Sequence, residues 1–433
     1  MNLAWLLQLA LSTQAASAGP TAFGVADPAQ RFASVPAPAP PGAADPCPAR
    51  GPVGRWVRMS AENAPQSLHE MSWLDSAAVW SGTKLVVAQR RNGKWTGAAF
   101  DPCGNAWSPI AETSAPPRDA GAPWNSGGHD RPFQPAHVQG SYDGFDRLSV
   151  WDDARRDWMA LAAPAPLGVR SHYAVALVRR RLLVWGGWMH AVGVLGDGAV
   201  LDLAHRSWKK MAATGAPSPR LEPTAVAWTG SRFLIWGGRV ATTAPGSVRL
   251  LGDGALYDPA ADRWTPMSAA GAPAPRTDAT VVWTGRKLVV VGGNGGAGGP
   301  ALAGGGVYDP ATNRWTRLPA PPDGVTLPKT NVGPLTRIMV APDGRVVFLP
   351  DEARSITVLD ADRAVWSTIG ADELGKRTGF RALLAGRRLL VWGGLTVVAE
   401  HRCPPPVPGL PLCDPFAETA PHNDGWMIVL PKP

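Results

Sequence analysis

Five arginines recur along the chain, in Pro117-Arg118, Val169-Arg170, Pro219-Arg220, Pro275-Arg276 and Lys376-Arg377. A guanidinium is planar, permanently charged and presents paired donors, so arginines gathered at one place suit a carboxylate or phosphate group. The same donors can instead hold a neighbouring carboxylate or carbonyl, which makes each arginine structural. Of the 20 tryptophans, most fall at regular positions, while Trp124 and Trp188 fall in irregular stretches and are the two to weigh as binding residues. The remaining chemistry is thin. The eight histidines form no His-Glu-x-x-His or similar ligand spacing. His172, in Arg170-Ser171-His172, stands near the position that Pro223 fills in another copy and reads as packing. No metal, cofactor or catalytic group is expected.

A repeat must position these residues. Asp262-Arg263-Trp264-Thr265-Pro266-Met267 returns in paraphrase around Trp56, Trp107, Trp158, Trp208, Trp315 and Trp366, and the seven tryptophans lie 51, 51, 50, 56, 51 and 51 residues apart. A fixed period of this size marks a repeat architecture, so 433 residues need not mean several domains. The clearest copy, residues 220–267, runs from Thr224-Ala225-Val226-Ala227-Trp228 through a Gly230 turn to Phe233-Leu234-Ile235-Trp236 and Gly237-Gly238. A variable loop, Gly254-Ala255-Leu256-Tyr257-Asp258-Pro259 and the strand of Trp264 follow. Each run is short, rich in β-branched and aromatic residues and bounded by Gly, Pro or Asp, which predicts four antiparallel strands, a to d. Seven units of this kind predict an all-β, seven-bladed propeller of four-stranded antiparallel blades. Each d-strand tryptophan is expected to pack between its own sheet and the next, contributing ~2 to 3 kcal/mol.

The double glycine ending strand b (Gly186-Gly187, Gly237-Gly238, Gly292-Gly293, Gly393-Gly394) and the pairing of Tyr257 with Trp264 and Tyr308 with Trp315 resemble the kelch-repeat family. Its relatives include the central propeller of galactose oxidase. Units 170–211, 220–267 and 276–318 carry the pattern most fully. Val87-Ala88-Gln89 and Leu349-Pro350-Asp351 replace the double glycine elsewhere, and residues 117–161 show no a or b strand. The resemblance implies a recognition module. It does not bring the copper chemistry of galactose oxidase, which uses tyrosine ligands and a Tyr-Cys crosslink. This chain has only Tyr142, Tyr173, Tyr257 and Tyr308, two of them in strand c.

The two ends complement each other. Trp56 has no a, b or c strand before it, and the last unit ends on Gly425–Leu430 without a d strand, so Arg55–Ser60 is expected to complete that blade and remove two open edges. Cys403 and Cys413, in the long loop of the last unit, and Cys47 and Cys103, which the closure brings together, are expected to form two disulfides. Leu3–Leu11 followed by Ala16-Ser17-Ala18 has the form of a cleaved leader, giving a signal peptide over 1–18, an Ala/Pro-rich linker over 19–54 and the propeller over 55–433. That implies a secreted or periplasmic protein. No later stretch is long and apolar enough for a membrane helix.

Strand order puts the b-to-c loops and d-to-a crossovers on one face, with Trp188–Gly196, Arg239–Gly252, Asn294–Gly305 and Leu395–Asn423 as its long loops. The five arginines would rim the mouth on that face. A net charge of +8 favours anionic partners, while runs of at most three basic residues, as in Arg179-Arg180-Arg181, give no nucleic-acid arm. The leading expectation is a monomeric, non-catalytic exported scaffold for a protein or glycan. The alternatives are an enzyme acting on an anionic sugar and a structural surface protein.

Overall fold

In the computed structural model the repeat becomes a series of antiparallel sheets, each built from consecutive segments. The structure describes residue 47 and residues 53–432, except 66–75, 93, 113–147, 153–156, 162–166, 169, 179–180, 191, 203, 206, 242–246, 297–298, 323–326, 328–335 and 402–415. Residues 32–433 cluster as one unit, and the separate unit 1–31 lies outside the described residues.

Strands a to d are Ser76–Trp80, Leu85–Arg91, Lys94–Asp101 and Ala106–Pro109 in the first unit. They are Ala174–Val178, Arg181–Trp185, Gly198–Asp202 and Ser207–Lys210 in the third, and Ala225–Trp228, Phe233–Trp236, Gly254–Asp258 and Arg263–Pro266 in the fourth. The fifth has Thr280–Trp283, Leu288–Val291, Gly305–Asp309 and Arg314–Leu318, and the sixth Thr336–Val340, Val346–Pro350, Ser355–Asp360 and Val365–Gly370. In each, a pairs b, b pairs c and c pairs d. The second unit shows Leu148–Asp152 paired with Asp157–Leu161, and residues 117–140, where its a and b strands were sought, lie outside the described residues. The fold is a β-propeller of four-stranded antiparallel blades, six of them complete among the described residues.

The last sheet combines both ends. Arg381–Ala385, Arg388–Trp392 and Gly425–Val429 are completed by Trp56–Arg58, with Trp56 opposite Ile428 and Arg58 opposite Trp426. The segment is then fixed to the first blade: Ser60 donates its N–H to Asn105 Oδ1 at 3.1 Å, Trp107 donates its indole N–H to Ser60 O at 2.9 Å, and Cys47 is bonded to Cys103. Cys403 and Cys413 lie outside the described residues. The Cys47–Cys103 link spans 56 positions, so in the chain-entropy model its removal costs about 4 kcal/mol. The Cys47→Ser/Cys103→Ser variant should therefore unfold at lower urea concentration than the oxidised wild type and lose less stability than it when reductant is added.

Trp107, Trp264 and Trp315 clamp neighbouring blades, but against the preceding sheet, not the next as expected. Trp264 meets Trp185 edge-on at 5.6 Å and donates its indole N–H to Ala212 O at 2.8 Å. Trp315 meets Trp236 at 5.4 Å, and Trp107 meets Trp392 at 4.6 Å. The residue two before each of these tryptophans carries the contact further. Asn105, Asp262 and Asn313 adopt φ of 50°, 48° and 53°, the left-handed region that Asn and Asp tolerate, and their Oδ1 atoms accept N–H groups of the preceding unit. The Tyr257 hydroxyl donates to Asp262 at 2.6 Å; this bond, Lys209 and the Ala212 N–H hold the Asp262 carboxyl down at about 2. The core therefore lies between sheets, as in the cluster that joins Trp185 with Ile235, Tyr257 and Trp264.

Double glycines kink strands b and c at one end. A Cβ on Gly293 would sit 2.3 Å from Thr277 O, and its φ is +87°, so no other residue fits without strain. The first unit lacks the glycines and its strands b and c run on unkinked through seven and eight residues. The sixth has Asp351-Glu352 instead: Glu352 takes φ of 55°, and Asp351 holds buried Arg337 at 2.5 Å, whose guanidinium lies 3.6 Å over Phe380.

Candidate functional site

Beyond the double glycines the loops of three units are themselves ordered. Trp188–Met189 pairs with Gly193–Val194, Arg239–Ala241 with Val248–Leu250, and Leu395–His401 with Phe416–Pro421, each as a separate two-stranded ribbon. The segment leading into strand a pins each ribbon at its root: Ser171 bridges Trp188, Leu221 bridges Arg239 and Thr378 bridges Leu395. Ribbons and crossovers thus share one face. Among the described residues the exposed large apolar side chains are Val53, Trp188, Val192, Val248, Val365, Val397 and Val398, and five of these seven belong to the ribbons or their tips. A register slip between Val397 and Ala399 turns both Val397 and Val398 outward, at 40% and 60% exposure.

Four of the five arginines lie at equivalent places in their blades, three of them, Arg170, Arg220 and Arg377, in the units that carry a ribbon. Arg220 is fully buried: Nε donates to Ser218 O at 2.8 Å, Nη1 to Gly237 O at 2.8 Å and Asp253 O at 2.9 Å, and Nη2 to Asp253 Oδ2 at 2.6 Å. Arg170 repeats this with Gly186 O and Asp197, and Arg377 with Gly393 O and Asp424. Among the described residues Arg276 donates to carbonyls, Ala274 O, Gly292 O and Gly304 O. Burial pushes the Arg220 guanidinium below its ordinary pKa, offset by Asp253. Burial opposes the charge of Asp253 in turn, but Ser218 and Arg220 overcome it and hold its carboxyl below the usual range. The donors therefore tie the carbonyl of the first glycine and the start of strand c to the strand-a entrance of the same blade.

Four-stranded antiparallel blades clamped by a tryptophan, with paired glycines ending strand b, are the setting in which residues 137–333 match the family model described as the KLHDC2/KLHL20/DRC7 Kelch-repeats domain. Residues 137–333 carry kelch repeats. No curated protein matches it.

Within this kelch propeller the expected site residues separate. Trp188 stands on the first ribbon, 37% exposed, with His190 edge-on at 5.6 Å. Arg118 and Trp124 lie outside the described residues. The tyrosines of strand c in the kelch units are structural: Tyr257 and Tyr308 give their hydroxyls to Asp262 and Asn313. His172 is not equivalent to Pro223. It shares the left-handed backbone of Glu222 and Asp278, with φ of 59°, 49° and 54°, and its carbonyl accepts the Glu222 N–H of the next unit at 2.9 Å. Its Nδ1 meets Ser171 Oγ at 2.8 Å and its Nε2 lies 3.5 Å from Glu222, which also holds Arg239 at 2.6 Å. The carboxylates paired with the arginines were missed in the sequence. Asp197-Gly198, Asp253-Gly254 and Asp424-Gly425 open strand c in the three units where an arginine finds a carboxylate, and that recurring dipeptide was the available signal.

Proposed function

We propose that the chain is a non-catalytic binding scaffold whose ribbons seat a protein partner. The observation that carries this is the gathering of exposed apolar side chains on one face, on ribbons rooted in rigid blades. Kelch repeats suggest a protein-binding role independently. Trp188, a flat amphipathic anchor, is the residue expected to contribute most. Scattered single apolar residues would mean little, but Trp188, Val192 and Val248 stand on the ribbons of two neighbouring blades, and Val397 and Val398 on the ribbon of the last blade add to the same face. The anionic-sugar alternative draws no support from Arg170, Arg220, Arg276 and Arg377, whose donors are engaged within their own blades. Export is part of the proposal: the apolar run Leu3–Leu11 ahead of Ala16-Ser17-Ala18, together with the Cys47–Cys103 disulfide, suits an oxidising compartment outside the cytoplasm.

The test is affinity capture from the native extracellular fraction with the full chain, beside Trp188→Ala and Val398→Asp variants. A specific protein retained by the wild type should be lost from at least one variant while their melting temperatures stay unchanged. Retention of a sugar acid with turnover, or a partner indifferent to all three ribbons, would overturn the reading.

A further inference from the structure

We propose that the edge strand Val365–Gly370 of the sixth blade pairs with the same strand of a second copy of the chain, forming a two-fold dimer. The strand at the end of a blade leaves a row of N–H and C=O groups open, and proteins guard such edges with charge or proline. The other strands that bear a repeat tryptophan are guarded. Trp56–Arg58 has Arg58, Ala106–Pro109 has Pro109, Asp157–Leu161 has Asp157, and Ser207–Lys210 has two lysines. Arg263–Pro266 has Arg263 and Pro266, and Arg314–Leu318 has Arg314 and Arg317. Val365-Trp366-Ser367-Thr368-Ile369-Gly370 has neither charge nor proline, is the longest of the set at six residues, and is rich in strand-forming residues. It ends the sheet order of its blade, and Val365 is 55% exposed.

The backbone faces the right way. Ala371 donates its N–H inward to Arg354 O at 2.8 Å, so by alternation Gly370, Thr368 and Trp366 turn their N–H and C=O groups to the open side. The Gly370 carbonyl already accepts the Trp56 indole at 2.7 Å and keeps a second lone pair.

Charge selects a second copy as the occupant. Arg363, its side chain 64% exposed and bonded to Asp360 at 3.1 Å, precedes the strand, while exposed Asp372 and Glu373 follow it. An antiparallel two-fold about Thr368 sets Trp366 opposite Gly370 of the other copy and Arg363 toward its Glu373 and Asp372. Basic and acidic ends meet twice in one isologous contact. Elsewhere two copies of a chain with net charge +8 repel each other; here opposite charges meet. The contact is separate from the ribbon surface, and it replaces the monomer expected from the sequence.

Sedimentation equilibrium of the full chain tests this. A reversible monomer–dimer equilibrium, weakened by salt, is expected. Thr368→Pro removes an open-side N–H while leaving the pairing with Ser355–Asp360 intact, and should raise the dissociation constant at least about tenfold without lowering the melting temperature. Arg363→Glu should also weaken the dimer, and adding Asp372→Arg and Glu373→Arg should restore it, a recovery that simple destabilisation would not give. A chain that sediments as a monomer throughout, a dimer unaffected by Thr368→Pro, or a charge-swapped variant that fails to recover would each overturn the proposal. None of these outcomes bears on the ribbon-bound partner, whose capture experiment stands apart.

Discussion

Replacing Arg220 with alanine is expected to lower the free energy of unfolding by about 3 to 5 kcal/mol, from about 1 to 3 kcal/mol for each buried acceptor left unsatisfied together with the cavity that its side chain leaves. The side chain is inaccessible to solvent and supplies five hydrogen bonds, to Ser218 O and Oγ, Gly237 O, Asp253 O and the Asp253 carboxylate. Its loss leaves a cavity under the ribbon root and takes a donor from three backbone carbonyls, of which Asp253 O keeps the Gly237 N–H, and each stranded acceptor adds to the penalty. Lysine should recover little, because an ammonium cannot reach acceptors that lie around a planar fork. Urea unfolding of Arg220→Ala and Arg220→Lys measures both effects. If the arginine served a ligand instead, stability would hold while partner capture failed, so the two measurements together decide its role.

The second large effect is expected at Trp264. Trp264→Ala should cost about 3 to 5 kcal/mol, as large aromatic truncations in cores do. The ring is 6% exposed, packs on Tyr257 of its own blade at 5.0 Å and on Trp185 of the preceding blade, and holds Ala212 O. Because two of those contacts cross between blades, the damage should not stay local. Amide exchange should accelerate in Ser207–Lys210 of the third unit as well as in Arg263–Pro266. Phenylalanine at this position keeps the apolar contact but not the hydrogen bond to Ala212, and should recover most of the loss.

These effects explain which parts of the molecule could be read from residues alone. The period, the strands and the closing strand around Trp56 depend on local composition and on counting, so they were legible. The direction of the tryptophan clamp was not, because a side chain at a sheet face can turn to either neighbour and only the indole acceptors, Ala212 O and Ser60 O, settle it. The arginines carried two uses that one sequence could not separate. The acceptors that separate them, a glycine carbonyl and an aspartate, lie 16 to 47 residues away from Arg170, Arg220 and Arg377 in the chain. The ribbons were seen only as long loops, since Arg239-Val240-Ala241 and Val248-Arg249-Leu250 are too short to announce strands before their pairing is known.

The closure has a consequence for how the chain reaches its folded state. Arg58 and Asp424 are 366 residues apart and meet in one sheet, where Asp424 also holds Arg377. The strand that completes the last blade is thus made some 366 residues before the strand it pairs with. Until then Trp56–Arg58, and later Arg388–Trp392, present an open edge to whatever is nearby, and long-range contacts of this kind form slowly. A ribosome-bound or truncated chain short of Gly425 is therefore the form most exposed to mispairing, and helpers that shield bare strands during synthesis would act on the seam before the ring exists.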